Sequence, residues 1–371
     1  MPAPATQPFT ALALSGGIAL GAYEAGACAA LQDAGQEPRW IAGASVGAIT
    51  AALIAGNPPE RRAARLKEFW QAATHEPLPL APLWFGAPFT GPWREAEAMA
   101  AALQSHLFGC PSIFRPRLGL PGAGVRDVPA LYDLSPLRAQ LEQLVDFGRL
   151  NSGTIRVSIT ATDIESGDRV VFDTARGQRI GPEHLLASGA LLPLFGPVEI
   201  EGRLLGDGGL ASNLPLDLIL DDLPPEEVLC LAVELFARRG SRPHTLAAAA
   251  SRAGDIAFGN QTRRMVEGRQ REHRLRALLA HLPEHLADDP ALANLRQEAR
   301  TQRTAVICLS YRAALDEAGL GKAFDFSGKT LTQRWQRGGA DMRIALEQAR
   351  HLPTGAGLVV HEIDTPAEGA E

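Results

Sequence analysis

The sequence predicts an α/β fold with a largely parallel central sheet, followed by a mostly helical region after about residue 240. Three observations predict it. Short apolar runs of strand length alternate with stretches of helical spacing from Phe9 to Thr74. The runs are continuous rather than alternating, as strands buried on both faces are. Hydrophobic residues make up 46% of the 371, enough for a sizeable core.

The elements follow in order. Phe9 to Ser15 is a short apolar run closed by Gly16-Gly17, which suits a buried strand. Gly21 to Ala34 is Ala-rich at helical spacing and stops at Gly35. Arg39 to Gly43 reads as a second strand, Ser45 to Ala55 as a helix ended by Gly56-Asn57-Pro58, and Pro59 to Thr74 as an amphipathic helix. Residues 75–130 form an insert rich in Pro, Gly and aromatic residues (Trp84, Phe85, Phe89, Trp93), with helical pattern from Arg94 to Leu107; it is either a functional excursion or a surface loop anchored by its aromatics. Ser135 to Leu144 and Pro182 to Ser188 read as helices. Thr154 to Thr162, Arg169 to Asp173 and Val228 to Leu235 read as strands, and Val198 to Ile200 pairs with Arg203 to Leu205 through Glu201-Gly202. After a soft boundary near residue 240, Arg263 to Leu282 is a charged helix, Ala305 to Tyr311 a last clear strand, and Leu331 to Ala349 a helix. Leu358 to Val360 is a short apolar run in the tail. The division expected is a domain over 9–240 and an extension over 241–371.

Composition removes several classes. A net charge of -6 and a pI near 5.9 argue against nucleic-acid binding, which needs a broad basic face. Cys28, Cys110, Cys230 and Cys308 lie far apart without metal-ligand spacing, so no metal and no disulfide framework is expected. The N-terminal stretch MPAPATQPFT lacks the basic start of a signal peptide, and no uninterrupted apolar run reaches membrane-spanning length, so a cytoplasmic location is expected. The arginines between Arg263 and Arg276 suit either peripheral contact with anionic lipid or a solvated helix face, the interspersed Glu267 and Glu272 favouring the second. Oligomeric state stays open.

Three motifs carry chemistry. Gly43-Ala44-Ser45-Val46-Gly47 places a serine on a tight strand-to-helix turn. Such a turn lifts the hydroxyl above the sheet at a helix N-terminus, and it needs Gly43 and Gly47 because a Cβ there would collide with the crossing elements. Neither Ser15 nor Ser188 has these glycine flanks. Ser15-Gly16-Gly17-Ile18-Ala19-Leu20-Gly21 leaves backbone N–H groups open before a helix, which serves phosphate binding, an oxyanion hole, or merely close packing. The dinucleotide fingerprint fails because Ile18 stands at its central glycine, and no acid closes the second strand; no cofactor is expected. Gly206-Asp207-Gly208-Gly209, ahead of Asn213-Leu214-Pro215, is by itself an ordinary turn signal at one rim of the core.

Taken in this order, and with Ala187-Ser188-Gly189-Ala190-Leu191-Leu192-Pro193-Leu194-Phe195 ahead of the aspartate, the motifs resemble those of patatin-like acyl hydrolases over about Ala11 to Leu216. The resemblance implies a three-layer α/β/α fold and a lipid or other acyl-ester substrate. It implies Ser45 as nucleophile and Asp207 as base, with oxyanion donors at Gly16, Gly17 and Ile18, and Gly208 and Gly209 completing the aspartate motif. Two positions depart from the family pattern: Ile18 replaces a third glycine, and Leu20 a basic residue. The part after 240, with Asp325-Phe326-Ser327, Arg334-Trp335 and Asp341, looks like an extension of some bacterial members.

A serine–aspartate pair works only if the pKa gap between its groups narrows. Burial raises the aspartate, and oxyanion donors stabilise the developing charge by roughly 2.7–4 kcal/mol each. A Ser-His-Asp triad is the rival, with the histidine after the acid: His244, His273, His281, His285, His351 or His361. Two further readings remain beside the lipid esterase: an esterase for hydroxyacid oligomers or storage polyester, and a non-catalytic lipid-binding module on the same fold.

Overall fold

Every residue of β1 (Phe9–Leu14) is buried, and the strand has parallel neighbours on both sides. A strand covered on both faces has no use for alternation, which is why its sequence is a continuous apolar run. The computed structural model describes residues 8–75, 92–117, 130–240, 242–244, 246–279, 303–313, 319–351 and 357–363. After β1 the chain forms α1 (Gly21–Asp33), β2 (Trp40–Ala44), α2 (Val46–Ala55), α3 (Pro59–Ala73), α4 (Pro92–Phe108), β3 (Arg115–Pro116), β4 (Tyr132–Asp133), α5 (Ser135–Leu144), α6 (Phe147–Leu150), β5 (Arg156–Asp163) and β6 (Arg169–Asp173). It continues through α7 (Pro182–Ser188), β7 (Val198–Ile200), β8 (Arg203–Asp207), α8 (Gly209–Ser212), α9 (Leu216–Asp221), β9 (Val228–Glu234), α10 (Leu246–Leu279), β10 (Arg303–Ser310), α11 (Gly328–Ala349) and β11 (Gly357–Ile363).

Strands β11, β10, β9, β1, β2 and β5 lie side by side and all run parallel. The far end is antiparallel: β6 and β8 pair with β5, and β7 pairs with β8. The turn between β7 and β8 is the expected one, with Glu201 at φ 52° and Gly202 at φ 76°, the left-handed pair that a two-residue hairpin needs.

Alternation along the strands sorts the side chains into two layers. Leu12, Leu14, Ile41, Leu231 and Val233 pack beneath α1, α2 and α11. Ala11, Ala13, Trp40, Ala42, Cys230 and Cys308 face α9 and α10 on the other side. The result is the expected α/β/α sandwich, in which each fully buried Leu or Val contributes about 1.5–3 kcal/mol. All four cysteines are free and buried.

The described residues beyond 240 do not form a separate core. β10 pairs with β9 and with β11, so the expected boundary falls inside one continuous sheet. α11 lies directly on α1: a Cβ at Gly26 would come within 2.0 Å of the Trp335 carbonyl oxygen, and one at Gly338 within 1.9 Å of that of Tyr23. The Tyr23 hydroxyl donates to Asp341 Oδ2 at 2.8 Å, closing the contact. Two further expectations shift. The charged helix begins earlier, at Leu246, and the tail run becomes the seven-residue edge strand β11. Trp84, Phe85 and Phe89 of the insert lie outside the described residues; its helical segment is α4.

Candidate active site

The site arises where two strands converge on one edge of β5. β2 ends with Ala44 opposite Thr160, and β8 ends with Asp207 opposite Ala161. β6 occupies the other edge of β5, pairing Val171 with Thr160 and Val170 with Ala161. β2 and β8 therefore share an edge and meet head-on at their carboxyl ends. Neither can continue, so β2 turns into α2 at Ser45 and β8 turns into α8 at Gly208. A Cβ at Gly208 would stand 2.3 Å from the Thr160 carbonyl oxygen, which explains a glycine there.

The serine turn is as tight as its flanks imply. A Cβ at Gly43 would lie 2.5 Å from the Gly47 carbonyl, and one at Gly47 would lie 2.3 Å from the Leu14 carbonyl oxygen. Ser45 itself sits at φ 54°, in a region where non-glycine residues are costly by about 1–3 kcal/mol. Its N–H donates to Ser188 Oγ at 2.9 Å. The Ser188 carbonyl accepts the Gly208 N–H at 3.1 Å, and the Ala190 carbonyl accepts the Asp207 N–H at 2.9 Å. The segment ahead of the aspartate thus holds both halves of the junction.

The Ser45 hydroxyl donates to Asp207 Oδ2 at 2.7 Å. Asp207 Oδ1 accepts the Gly209 N–H at 2.6 Å. Only 4% of Asp207 is exposed, and burial pushes its carboxyl up to about 6 against the opposing pull of its hydrogen bonds with Ser45 and Gly209. Both oxygens are engaged, and no described histidine hydrogen-bonds either residue. His351 pairs with Glu347, and His361 lies in edge strand β11. His273 is held low, first by burial and next by Arg276 of the same helix. His281 and His285 lie outside the described residues.

The glycine loop differs from expectation at Gly16. Its N–H is not open to a ligand, because it donates to the Asn213 carbonyl at 3.1 Å. Gly16 serves instead as space: a Cβ there would meet Asn213 Oδ1 at 2.7 Å and Ser45 Cβ at 2.9 Å. Asn213 Nδ2 also donates to the Gly16 carbonyl at 3.3 Å, so the asparagine clamps the loop beside the serine from both sides. Among the described residues no partner engages the N–H groups of Gly17 and Ile18. Ile18 stands at φ 51°, strain that the usual glycine would relieve. Asn213 and Ser188 are positioning residues whose contacts depend on distant backbone; the only sign of them in the sequence is that each sits within a quoted motif.

A second layer of the loop is Gly17, where a Cβ would lie 2.7 Å from Leu235 Cδ1. The loop is therefore packed between the ends of β2 and β9, at the carboxyl edge of the sheet where open α/β folds place their ligands. Among the described residues no group of three or more His, Cys, Asp or Glu could hold a metal ion.

The profile of patatin-like phospholipases matches residues 12–220, more than half of the chain. The chain belongs to the patatin-like phospholipase family. Membership places it among hydrolases of lipid esters. A second family profile, described as patatin phospholipase, matches residues 256–354, so the region carrying α10 and α11 is itself patatin-associated. No curated protein matches the chain significantly in sequence. Among solved structures, VipD from Legionella pneumophila is similar at 15% identity and a TM-score of 0.41, over 93% of this chain and 67% of that one. Human GIVD cytosolic phospholipase A2 is similar at 13% identity and a TM-score of 0.39, over 92% of this patatin-like chain and 60% of the human one. ExoU from Pseudomonas aeruginosa follows at 18% identity and a TM-score of 0.31, over 79% and 59% of the two chains. The chain thus spans about three fifths to two thirds of the length of these proteins.

Proposed function

We propose that this protein cleaves carboxylic esters of lipids through an acyl-enzyme, with Ser45 as nucleophile, Asp207 as its base, and the N–H groups of Gly17 and Ile18 as oxyanion donors. The 2.7 Å hydrogen bond from Ser45 to a buried, partner-saturated Asp207 carries the reading. An aspartate raised to about 6 is still a weak base for a serine, so the remaining activation falls to the oxyanion side. There the unengaged amides and the N-terminus of α2 favour negative charge on the attacked carbonyl oxygen.

The chemistry runs in two halves. Ser45 Oγ bonds to the ester carbonyl carbon as its proton passes to Asp207 Oδ2. The tetrahedral oxyanion then collapses, the C–O bond to the alcohol breaks, and Asp207 returns its proton to the departing oxygen. Water repeats the sequence on the acyl-serine, losing a proton to Asp207 and freeing the fatty acid and Ser45. Gly209 keeps Oδ1 occupied throughout, so only Oδ2 faces the serine.

A panel of p-nitrophenyl esters of rising chain length, run on wild type, Ser45→Ala and Asp207→Asn, tests the proposal. Hydrolysis by the wild type that both substitutions abolish is expected. Equal rates in the three proteins would refute it.

A further inference from the structure

Beneath α10, at the carboxyl ends of β9, β10 and β11, lies a cavity of about 370 Å3 whose lining contains neither Ser45 nor Asp207. We propose that it is a second binding site, one that takes a phosphate group.

The sheet creates the space. In a parallel sheet the chain leaves every strand at the same edge, and side chains that close those strands point into whatever covers them. Glu234 closes β9 and Ser310 closes β10, paired in register. α10 crosses above them, so close that a Cβ at Gly259 would sit 2.7 Å from the Phe236 carbonyl oxygen. Phe258 stacks on Phe236 with ring centroids 4.7 Å apart, and Arg252 donates to the Ala237 carbonyl at 2.6 Å. The roof is thereby fixed to the turn that follows β9.

The lining carries four guanidiniums and three carboxylates, those of Glu234, Glu267 and Glu362. The guanidiniums converge on the cavity from three separate stretches of chain: Arg238 and Arg239 after β9, Arg263 from α10, and Arg312 after β10. Arg238 pairs with Glu362 at 3.0 Å and Arg263 with Glu267 at 2.5 Å. Both acids are about half exposed, at 51% and 52%, so water screens these pairs and each is worth little. A multiply charged phosphate offers the same guanidinium forks more oxygens and more charge than one carboxylate can. The floor is polar. Glu234 is buried, Ser310 donates to it at 3.4 Å, and the Thr262 hydroxyl also hydrogen-bonds it. Burial pushes its carboxyl up to about 7 against the hydrogen bonds from Thr262 and Ser310, so near neutrality it carries only part of a charge.

The cavity borders the serine site without belonging to it. Leu235, the residue after Glu234, packs on Gly17, and the Asn213 N–H donates at 3.2 Å to Gln261, the residue before Thr262. Occupation of the cavity therefore bears on the two residues that brace the glycine loop. The proposal does not depend on the hydrolase reading, because phosphate binding needs none of the Ser45 chemistry.

Calorimetric titration of the full chain carrying Ser45→Ala, with glycerol 3-phosphate and with inorganic phosphate at low salt, tests it. Saturable binding to one site is expected, weakened by about tenfold or more in Arg263→Gln and in Arg238→Gln, each losing one charged donor pair. Arg264→Gln, an exposed neighbour on α10 outside the lining, is expected to bind as the parent does. Sedimentation with phosphatidylcholine vesicles, with and without phosphatidic acid, separates the sources: capture that requires phosphatidic acid and Arg238 identifies a lipid headgroup, and binding of the free esters alone identifies a soluble ligand. Arg263 is about half exposed, so its replacement leaves the fold intact, which thermal melts verify. No saturable binding by either phosphate and no vesicle preference would overturn the proposal, as would binding unchanged in the Arg238→Gln, Arg263→Gln double variant.

Discussion

Ser45 and Asp207 stand 162 positions apart in the chain, and the hydroxyl of one donates to the carboxylate of the other at 2.7 Å. The contact is a consequence of strand pairing. β2 and β8 run toward each other along one edge of β5; β8 delivers its last side chain, Asp207, and β2 the residue just past its end, Ser45.

Removing the charge at Asp207 separates function from stability. Asp207→Asn is expected to lower kcat/KM by at least about 10³-fold, the scale of losing a member of a catalytic unit. Folding stability at pH 8 is expected to stay level or rise, by no more than about 3 kcal/mol, because a carboxyl raised from 3.8 to about 6 costs that much when ionised and buried. Urea denaturation alongside ester hydrolysis measures both.

The pH dependence has a fixed sign. Asp207 is raised above its unfolded value, so the base form accumulates, and kcat/KM climbs, as pH increases through about 6 to a plateau. Stability from this group runs the other way: it is fully present below the unfolded value of 3.8 and is lost as pH rises through about 6. A kcat/KM profile from pH 4.5 to 8.5 with no rising limb would contradict the assignment of the base.

Two glycines of the site should fail differently. Gly47→Ala forces a Cβ to 2.3 Å from the Leu14 carbonyl oxygen, backbone that cannot yield, and is expected to cost more than about 2 kcal/mol of stability. Gly16→Ala presses on Asn213 Oδ1, the end of a side chain that can shift, and on Ser45 Cβ, so it should spare the melting temperature more than Gly47→Ala does and, by displacing the serine, still lower kcat by about 10²-fold. Thermal melts paired with kinetics distinguish the two.

Ser188 holds the turn through its side chain. Ser188→Ala leaves the Ser45 N–H buried without an acceptor, an expected loss of about 1–3 kcal/mol. The defect moves the nucleophile and leaves the substrate surface alone, so kcat should fall with KM little changed. Steady-state kinetics on a soluble ester checks the split.

The C-terminal region is expected to be indispensable to the fold. Gly338→Ala drives a Cβ to 1.9 Å from the Tyr23 carbonyl oxygen and should separate α11 from α1, lowering the melting temperature sharply. A shift below 2 °C would show that the two helices do not depend on each other.

Much of this was readable from residues in series. Phe9 to Ser15 and Arg39 to Gly43 announced buried strands because two-sided burial leaves few polar positions. Gly43 and Gly47 announced the turn because a Cβ at either has nowhere to go. Asp207 was different: an Asp-Gly turn is common, and only its resemblance to a known motif singled it out. What stayed hidden depends on pairing between distant segments. The loss of Gly16 as an oxyanion donor rests on the Asn213 carbonyl, 197 positions away. The unity of the sheet rests on β10 and β11 adding to β9, and β11 is weakly marked because only three apolar residues stand together before its His and Glu.

In the reaction we propose, Asp207 activates Ser45. A fluorophosphonate ester followed by peptide mapping tests it most directly. A single adduct on Ser45 is expected in the wild type, and labelling slowed by about 10³-fold in Asp207→Asn with its fold intact. Labelling of a different serine, or an equal rate in the two proteins, would contradict it.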